Sequence, residues 1–278
     1  MHTSEGILKT EGGLRLFERA WYPDTKPKAA LVIVHGYGEH SGRYVSLAEC
    51  LVRRGYAVYM FDLRGHGRSE GIRGFARSFN EYAEDLKTFL KHVESKETEK
   101  SIFLLGHSLG GTIASLFVIV SHPRLKGLIL SGPFLRVSSE YSPFMQIMAQ
   151  FVGRLCPRMR IVKSLDRSFL SRDPNIVETY KKDPLVYHGW IPAGTAFEIK
   201  RAINIIKEKM GEISLPILIL HGSSDRISEP DGSQELYRRA KSDDKTLKLY
   251  EGLFHEVLNE PEKDKVIEDM VTWMDARV

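Results

Sequence analysis

The pattern that most limits how this chain can fold is an alternation of short β-branched and aromatic runs with longer segments of helical period. The runs are 30–34 (ALVIV), 57–61 (AVYMF), 102–105 (IFLL), 127–131 (GLILS), 217–220 (ILIL) and 246–250 (TLKLY). Several are continuously apolar rather than alternating, as strands covered on both faces are. Between them Tyr82, Leu86, Phe89, Leu90 and Val93 share one helical face, and Val266, Ile267, Met270, Val271 and Met274 share another. Such a chain predicts an α/β fold, with a mostly parallel central sheet flanked by helices.

The rhythm breaks once. Residues 132–215 are far too long for a simple crossover, and they hold Pro133, Pro143, Pro157, Pro174, Pro184 and Pro192, half of the chain's 12 prolines. This interval reads as several short helices inserted as a cap, leaving 1–131 and 216–278 as the core. With 278 residues, 42% of them hydrophobic, one sizeable core can be buried.

Charge and cysteine usage exclude several functions. Lys and Arg number 40 against 36 for Asp and Glu, with no basic block, so there is no electrostatic footprint for nucleic acid. Cys50 and Cys156 lie far apart and outside any CxxC spacing, which fits reduced thiols better than zinc or redox chemistry. Glu5, Lys9, Glu11 and Arg15 interrupt the N-terminal stretch, which therefore has no apolar signal-peptide region. Apolar runs such as Leu116 to Val120 fall far short of the roughly 18 residues of a membrane span. The expectation is a cytoplasmic protein whose membrane contact, if any, is peripheral.

Gly106-His107-Ser108-Leu109-Gly110 fits the GxSxG nucleophile elbow. The motif carries weight only where a strand enters it and a helix leaves it, because that turn lifts the serine hydroxyl above the sheet edge. Here SIFLL runs in and GTIASLFVIV runs out. Gly67-Arg68-Ser69-Glu70-Gly71 satisfies the same pattern without a flanking strand or helix, so Ser69 is rejected and Ser108 is the candidate nucleophile.

A serine hydroxyl needs a general base, and the base needs an orienting carboxylate. After an elbow serine the acid precedes the histidine in the chain. Asp225 follows the strand PILILHG and His255 follows TLKLY, both on loops after strands, where such sheets place their sites. Among the other histidines, His107 should point its ring away from the serine hydroxyl. His35 and His221 read as hydrogen-bonded structural groups, His188 is a weak rival in the cap, and His2, His92 and His122 look superficial. Asp231, the rival acid, starts a helix and suits its N-terminus. Oxyanion donors should be the backbone N–H groups of Leu109 and of Tyr37, the latter between Gly36 and Gly38.

The runs His35-Gly-Tyr-Gly-Glu-His-Ser-Gly-Arg-Tyr44, Asp62-Leu-Arg-Gly-His-Gly-Arg-Ser69, Gly106-His-Ser-Leu-Gly-Gly111, Tyr180-Lys-Lys-Asp-Pro-Leu185 and His221-Gly-Ser-Ser-Asp-Arg226 together resemble the monoacylglycerol lipases. The related lysophospholipases of the α/β-hydrolase superfamily share much of this, and the likeness runs from about residue 10 to about 275. The resemblance implies an α/β-hydrolase fold and hydrolysis of a single acyl ester of glycerol to fatty acid and glycerol, with no metal or organic cofactor. It implies Ser108, Asp225 and His255 as the triad and Tyr37 and Leu109 as the oxyanion hole. It also puts Glu39, Arg43 and Tyr180 around the glycerol end of the pocket, although Glu39 and Arg43 could equally pair to fix the loop and Tyr180 could simply pack. The second histidine that some members carry shortly after the catalytic one is missing here, where Glu256-Val-Leu-Asn259 stands instead.

In the cap, Phe144, Met145, Ile147, Met148, Phe151, Val152 and Leu155 recur at helical spacing. Such a helix either lines an acyl tunnel and docks shallowly on a membrane, with Phe144 and Met148 touching substrate, or packs on the core. Lysophospholipase, short-chain carboxylesterase or aminopeptidase activity on the same fold are the alternatives, and a non-catalytic binding protein is disfavoured by the intact triad.

Overall fold

The computed structural model describes residues 1–97, 101–136, 151–162 and 166–278. β1 (His2–Lys9) and β2 (Arg15–Tyr22) form an antiparallel hairpin that the apolar runs did not announce, because β1 is largely exposed and rich in polar residues. The predicted runs become β3 (Ala29–Val34), β4 (Tyr56–Phe61), β5 (Ile102–His107), β6 (Gly127–Ser131), β9 (Ile217–Gly222) and β10 (Lys245–Tyr250). With the hairpin they make one sheet in the order β1-β2-β4-β3-β5-β6-β9-β10. All pairings from β4 to β10 are parallel. A small antiparallel pair, β7 (Arg160–Val162) and β8 (Ile191–Pro192), stands apart from it.

Alternation along the inner strands divides the core into two layers. Val32, Val34, Tyr59 and Leu104 face one side with α2 (Phe79–Lys96), α3 (Leu109–Ser121) and α5 (Ala193–Lys209). Leu31, Ile33, Val58, Phe103 and Leu105 face the other, against α1 (Val45–Arg53) and α7 (Lys263–Asp275). The two predicted helical faces are those buried by α2 and α7. No helix among the described residues is long and apolar enough to cross a membrane.

Two different environments meet within 132–215. Ile199, Ala202, Ile203 and Ile206 of α5 belong to the main core beside α3, whereas Leu170, Val186 and Tyr180 of α4 (Pro174–Lys182) form a small cluster of their own with Ile227. Residues 151–155 are helical, with Phe151 and Leu155 exposed. Phe144 and Met148 lie outside the described residues.

Because Val34 pairs with Gly106, Leu220 with Ser131 and Tyr250 with Gly222, the parallel strands end together at one edge. The loop after β3, the elbow after β5, the loop after β9 and the loop after β10 therefore converge.

Candidate active site

β5 runs directly into the elbow and α3 leaves it, as the flanking sequence predicted. Ser108 has φ 52° and ψ −117°, a conformation that costs on the order of 1–3 kcal/mol and needs its surroundings to hold it. Its N–H donates to the Ser131 carbonyl at 3.0 Å, and its own carbonyl accepts from Gly111 at 2.9 Å and Phe134 at 3.0 Å. The glycines of the motif are required by close approach: a side chain on Gly110 would meet the Val34 carbonyl, and one on Gly106 would meet Gly110. Ser108 Oγ makes no hydrogen bond with a described residue, and Ser108 lines the pocket. Ser69, by contrast, is tied at both ends, donating to the Asp62 carbonyl at 2.5 Å and accepting from the Phe17 N–H at 2.9 Å.

Asp225 hangs in the loop after β9. Its Oδ1 accepts from the N–H groups of Ile227 and Ser228 at 2.7 and 2.9 Å, and its Oδ2 lies 2.7 Å from His255 Nδ1. Burial alone would raise this carboxyl, but the His255 and His221 rings outweigh it and hold the group well below the usual range. Burial likewise disfavours a charged His255, and the Asp225 carboxylate reverses that and raises its pKa. With Nδ1–H donated to Asp225, His255 Nε2 carries the lone pair that a general base uses. His255 and Ser108 line one pocket without a direct hydrogen bond between them.

Leu109 opens α3, where an N–H has no carbonyl of its own helix to reach. Among the described residues neither its N–H nor that of Tyr37 has a protein acceptor. The Tyr37 side chain is anchored elsewhere, its hydroxyl donating to the Gly74 carbonyl at 3.0 Å and its ring edge-on to His66 and Tyr187. The loop carrying it is pinned by Gly36, which donates to Glu39 Oε1 at 2.6 Å.

Glu39, Tyr180 and Glu256 line the polar end of the pocket. Arg43 ties them together without lining it. One guanidinium nitrogen donates to Glu39 Oε2 and to Glu256 Oε1, each at 2.7 Å, a second donates to Glu256 Oε2 at 2.9 Å, and the group lies 4.6 Å from the centre of the Tyr180 ring. The Tyr44 hydroxyl donates to Glu39 Oε1 at 2.8 Å. Burial would raise the Glu39 carboxyl, but Arg43 and the neighbouring imidazoles bring it down to about 2. Glu256 escaped the sequence reading because an acid next to a histidine looks like any surface charge.

His107 lies closer to the chemistry than expected. It donates from Nδ1 towards the Ser131 carbonyl at 2.9 Å, but its ring lines the pocket 4.8 Å from that of His255. His188 is exposed and absent from the pocket, and Asp231 sits in the first turn of α6 (Pro230–Arg239), paired with Arg136. Among the described residues no three His, Cys, Asp or Glu side chains gather as a metal site.

Residues 25–262 match the family model described as Serine aminopeptidase, S33. The chain is 37% identical to a monoacylglycerol lipase of Mycolicibacterium smegmatis, over 98% of this chain and 96% of that protein. The chain belongs to the α/β-hydrolase family of monoacylglycerol lipases. Another family member, the human monoglyceride lipase, is 34% identical over 97% of this chain and 90% of its own length. The crystal structure of the Paleococcus ferrophilus monoacylglycerol lipase superposes with a TM-score of 0.84 at 30% identity, covering both chains completely. Membership makes this a serine carboxylic ester hydrolase, in accord with the strand–elbow–helix reading.

Proposed function

We propose that the protein hydrolyses monoacylglycerol to a fatty acid and glycerol through an acyl-enzyme on Ser108. Ser108 Oγ attacks the ester carbonyl as His255 Nε2 takes its proton, while Asp225 keeps the imidazole in the tautomer and orientation this requires. The N–H groups of Tyr37 and Leu109 meet the oxyanion. His255 then protonates the leaving glycerol oxygen. A water molecule, deprotonated by His255 in turn, attacks the acyl-enzyme, releases the fatty acid and restores Ser108. The chemistry calls for no metal or organic cofactor.

The observation that carries this reading is a strained Ser108, its hydroxyl unbonded among the described residues, sharing one pocket with His255, which is itself paired with the buried Asp225. The polar end of that pocket supports a neutral polyol as leaving group. An aminopeptidase would need a free carboxylate for a substrate ammonium, yet Glu39 and Glu256 are both engaged by Arg43. Their remaining lone pairs and the Tyr180 hydroxyl suit glycerol hydroxyls.

Peripheral membrane contact through the 132–215 insertion completes the proposal. Phe151, Leu155, Met159 and Trp190 are 61%, 66%, 49% and 52% exposed, with Arg154 and Arg158 exposed among them, a combination that suits a shallow lipid surface. The test of substrate class compares release of fatty acid from monoacylglycerol, lysophospholipid and aminoacyl amide. The proposal requires the first to exceed the others in kcat/KM, and preference for either rival overturns it.

A further inference from the structure

We infer that His221 and Ser233 act as a positioning pair behind the candidate triad, fixing the Asp225 carboxylate so that its Oδ2 stays aimed at His255. This rests on the triad reading above. His221, the penultimate residue of β9, is fully buried, and Ser233, also fully buried, projects from α6. His221 Nε2 lies 3.1 Å from Asp225 Oδ2 and 3.0 Å from the Ser228 carbonyl. Both neighbours are acceptors, so Nε2 must carry the proton. Its Nδ1 lies 2.7 Å from Ser233 Oγ. In the neutral ring that nitrogen has only a lone pair, and the serine hydroxyl donates to it. Two elements of the fold thus select one tautomer of His221, and that tautomer points an N–H at the catalytic carboxylate.

Asp225 Oδ1 is already held by two backbone N–H groups, but Oδ2 would otherwise have His255 alone, a partner whose own charge changes in every turnover. Sharing Oδ2 with His221 does two things. It fixes the carboxylate plane through both halves of the reaction, and it lowers the basicity of the oxygen that faces the imidazolium, keeping the transferred proton on His255. Without the His221 N–H, Asp225 becomes a stronger acceptor and His255 more basic. The neutral, active form of His255 would then appear only at higher pH. The other groups facing His255 are unaffected: His107 from β5, Glu39 from the loop after β3, its neighbour Glu256, and Arg167 and Tyr180 across the pocket.

A purely structural histidine would shift stability alone. The test therefore reads kcat, KM and the acid limb of kcat/KM for His221→Leu, His221→Gln and Ser233→Ala, beside Ser108→Ala. His221→Leu should lower kcat about tenfold with KM unchanged, the factor corresponding to one hydrogen bond of about 1.4 kcal/mol, and should move the acid limb to higher pH. Gln can offer one N–H to Asp225, so His221→Gln should recover most of the rate. Ser233→Ala should fall between them. A folded His221→Leu with wild-type kcat and acid limb overturns the inference. If that variant does not fold, a Ser233→Ala enzyme with wild-type kcat and acid limb overturns it instead. Retained hydrolysis by Ser108→Ala would instead sink the triad reading, so the two failures are distinct.

Discussion

Replacing Arg43 by Met tests the reasoning about the polar end of the pocket most severely. Arg43 is the common partner of two buried carboxylates, Glu39 and Glu256. The Glu39 carboxyl stands at about 2 in the folded chain against 4.5 for the free group. That downward displacement contributes to stability, because the folded chain favours the charged form. Because the folded value lies below the unfolded one, the contribution is complete above the unfolded pKa and is lost as pH falls towards the folded one. Met fills similar space but leaves two acids buried without a cation, and breaking a buried pair costs about 3–5 kcal/mol. In the variant Glu39 loses the guanidinium that holds its carboxyl down, so it titrates at higher pH than in the parent and its protonation relieves the uncompensated charge. Urea unfolding followed by tryptophan fluorescence should show Arg43→Met destabilised by about 3–5 kcal/mol near neutral pH. The deficit should narrow as pH is lowered towards the ordinary carboxyl range. Combining it with Glu39→Gln and Glu256→Gln should restore most of the loss, since a neutral trio replaces an uncompensated one. A deficit below about 1 kcal/mol near neutral pH, the value of a surface pair, or one independent of pH, would refute the argument.

The acid limb of kcat/KM should report an apparent pKa above 6.5, since Asp225 raises His255 from that value and only the neutral imidazole serves as base; a limb below 6.5 would contradict the assignment. Asp225→Asn should lower kcat by about 10⁴-fold while leaving the fold intact, because an amide presents the wrong hydrogen-bonding pattern to His255, and steady-state kinetics with circular dichroism checks both halves. Gly110→Ala should yield little folded protein, as its methyl group would enter the space of the Val34 carbonyl oxygen; a soluble, active variant would show that the elbow is looser than described.

Much of this could be read from the residues because burial on both faces writes strands as continuous apolar runs. β3 and β9 are such runs, fully buried along their length. The β1–β2 hairpin could not be read in the same way, since an exposed edge strand such as His2–Lys9 carries no apolar run. The residues of the candidate triad were legible through chain order and through their place after strands. Ser69 was set aside for want of a flanking strand and helix, and its hydroxyl is spent on backbone groups. What the sequence hid was contact across the fold. The spacing of His221 and Asp225 did not reveal that one donates to the other, and nothing near His255 announced that Glu256 grips Arg43 from 213 positions away. Within 132–215, helical spacing alone could not tell α5, which packs into the main core, from the segment around Tyr180 that meets the pocket.

The central claim is that Ser108, activated by His255, is the nucleophile. Treating the folded protein with a fluorophosphonate and mapping the adduct by mass spectrometry tests it directly. One stoichiometric adduct is expected on the peptide containing Ser108, abolished by Ser108→Ala and slowed as pH falls through the titration of His255. An adduct on another serine, or undiminished labelling and hydrolysis in Ser108→Ala, would contradict it.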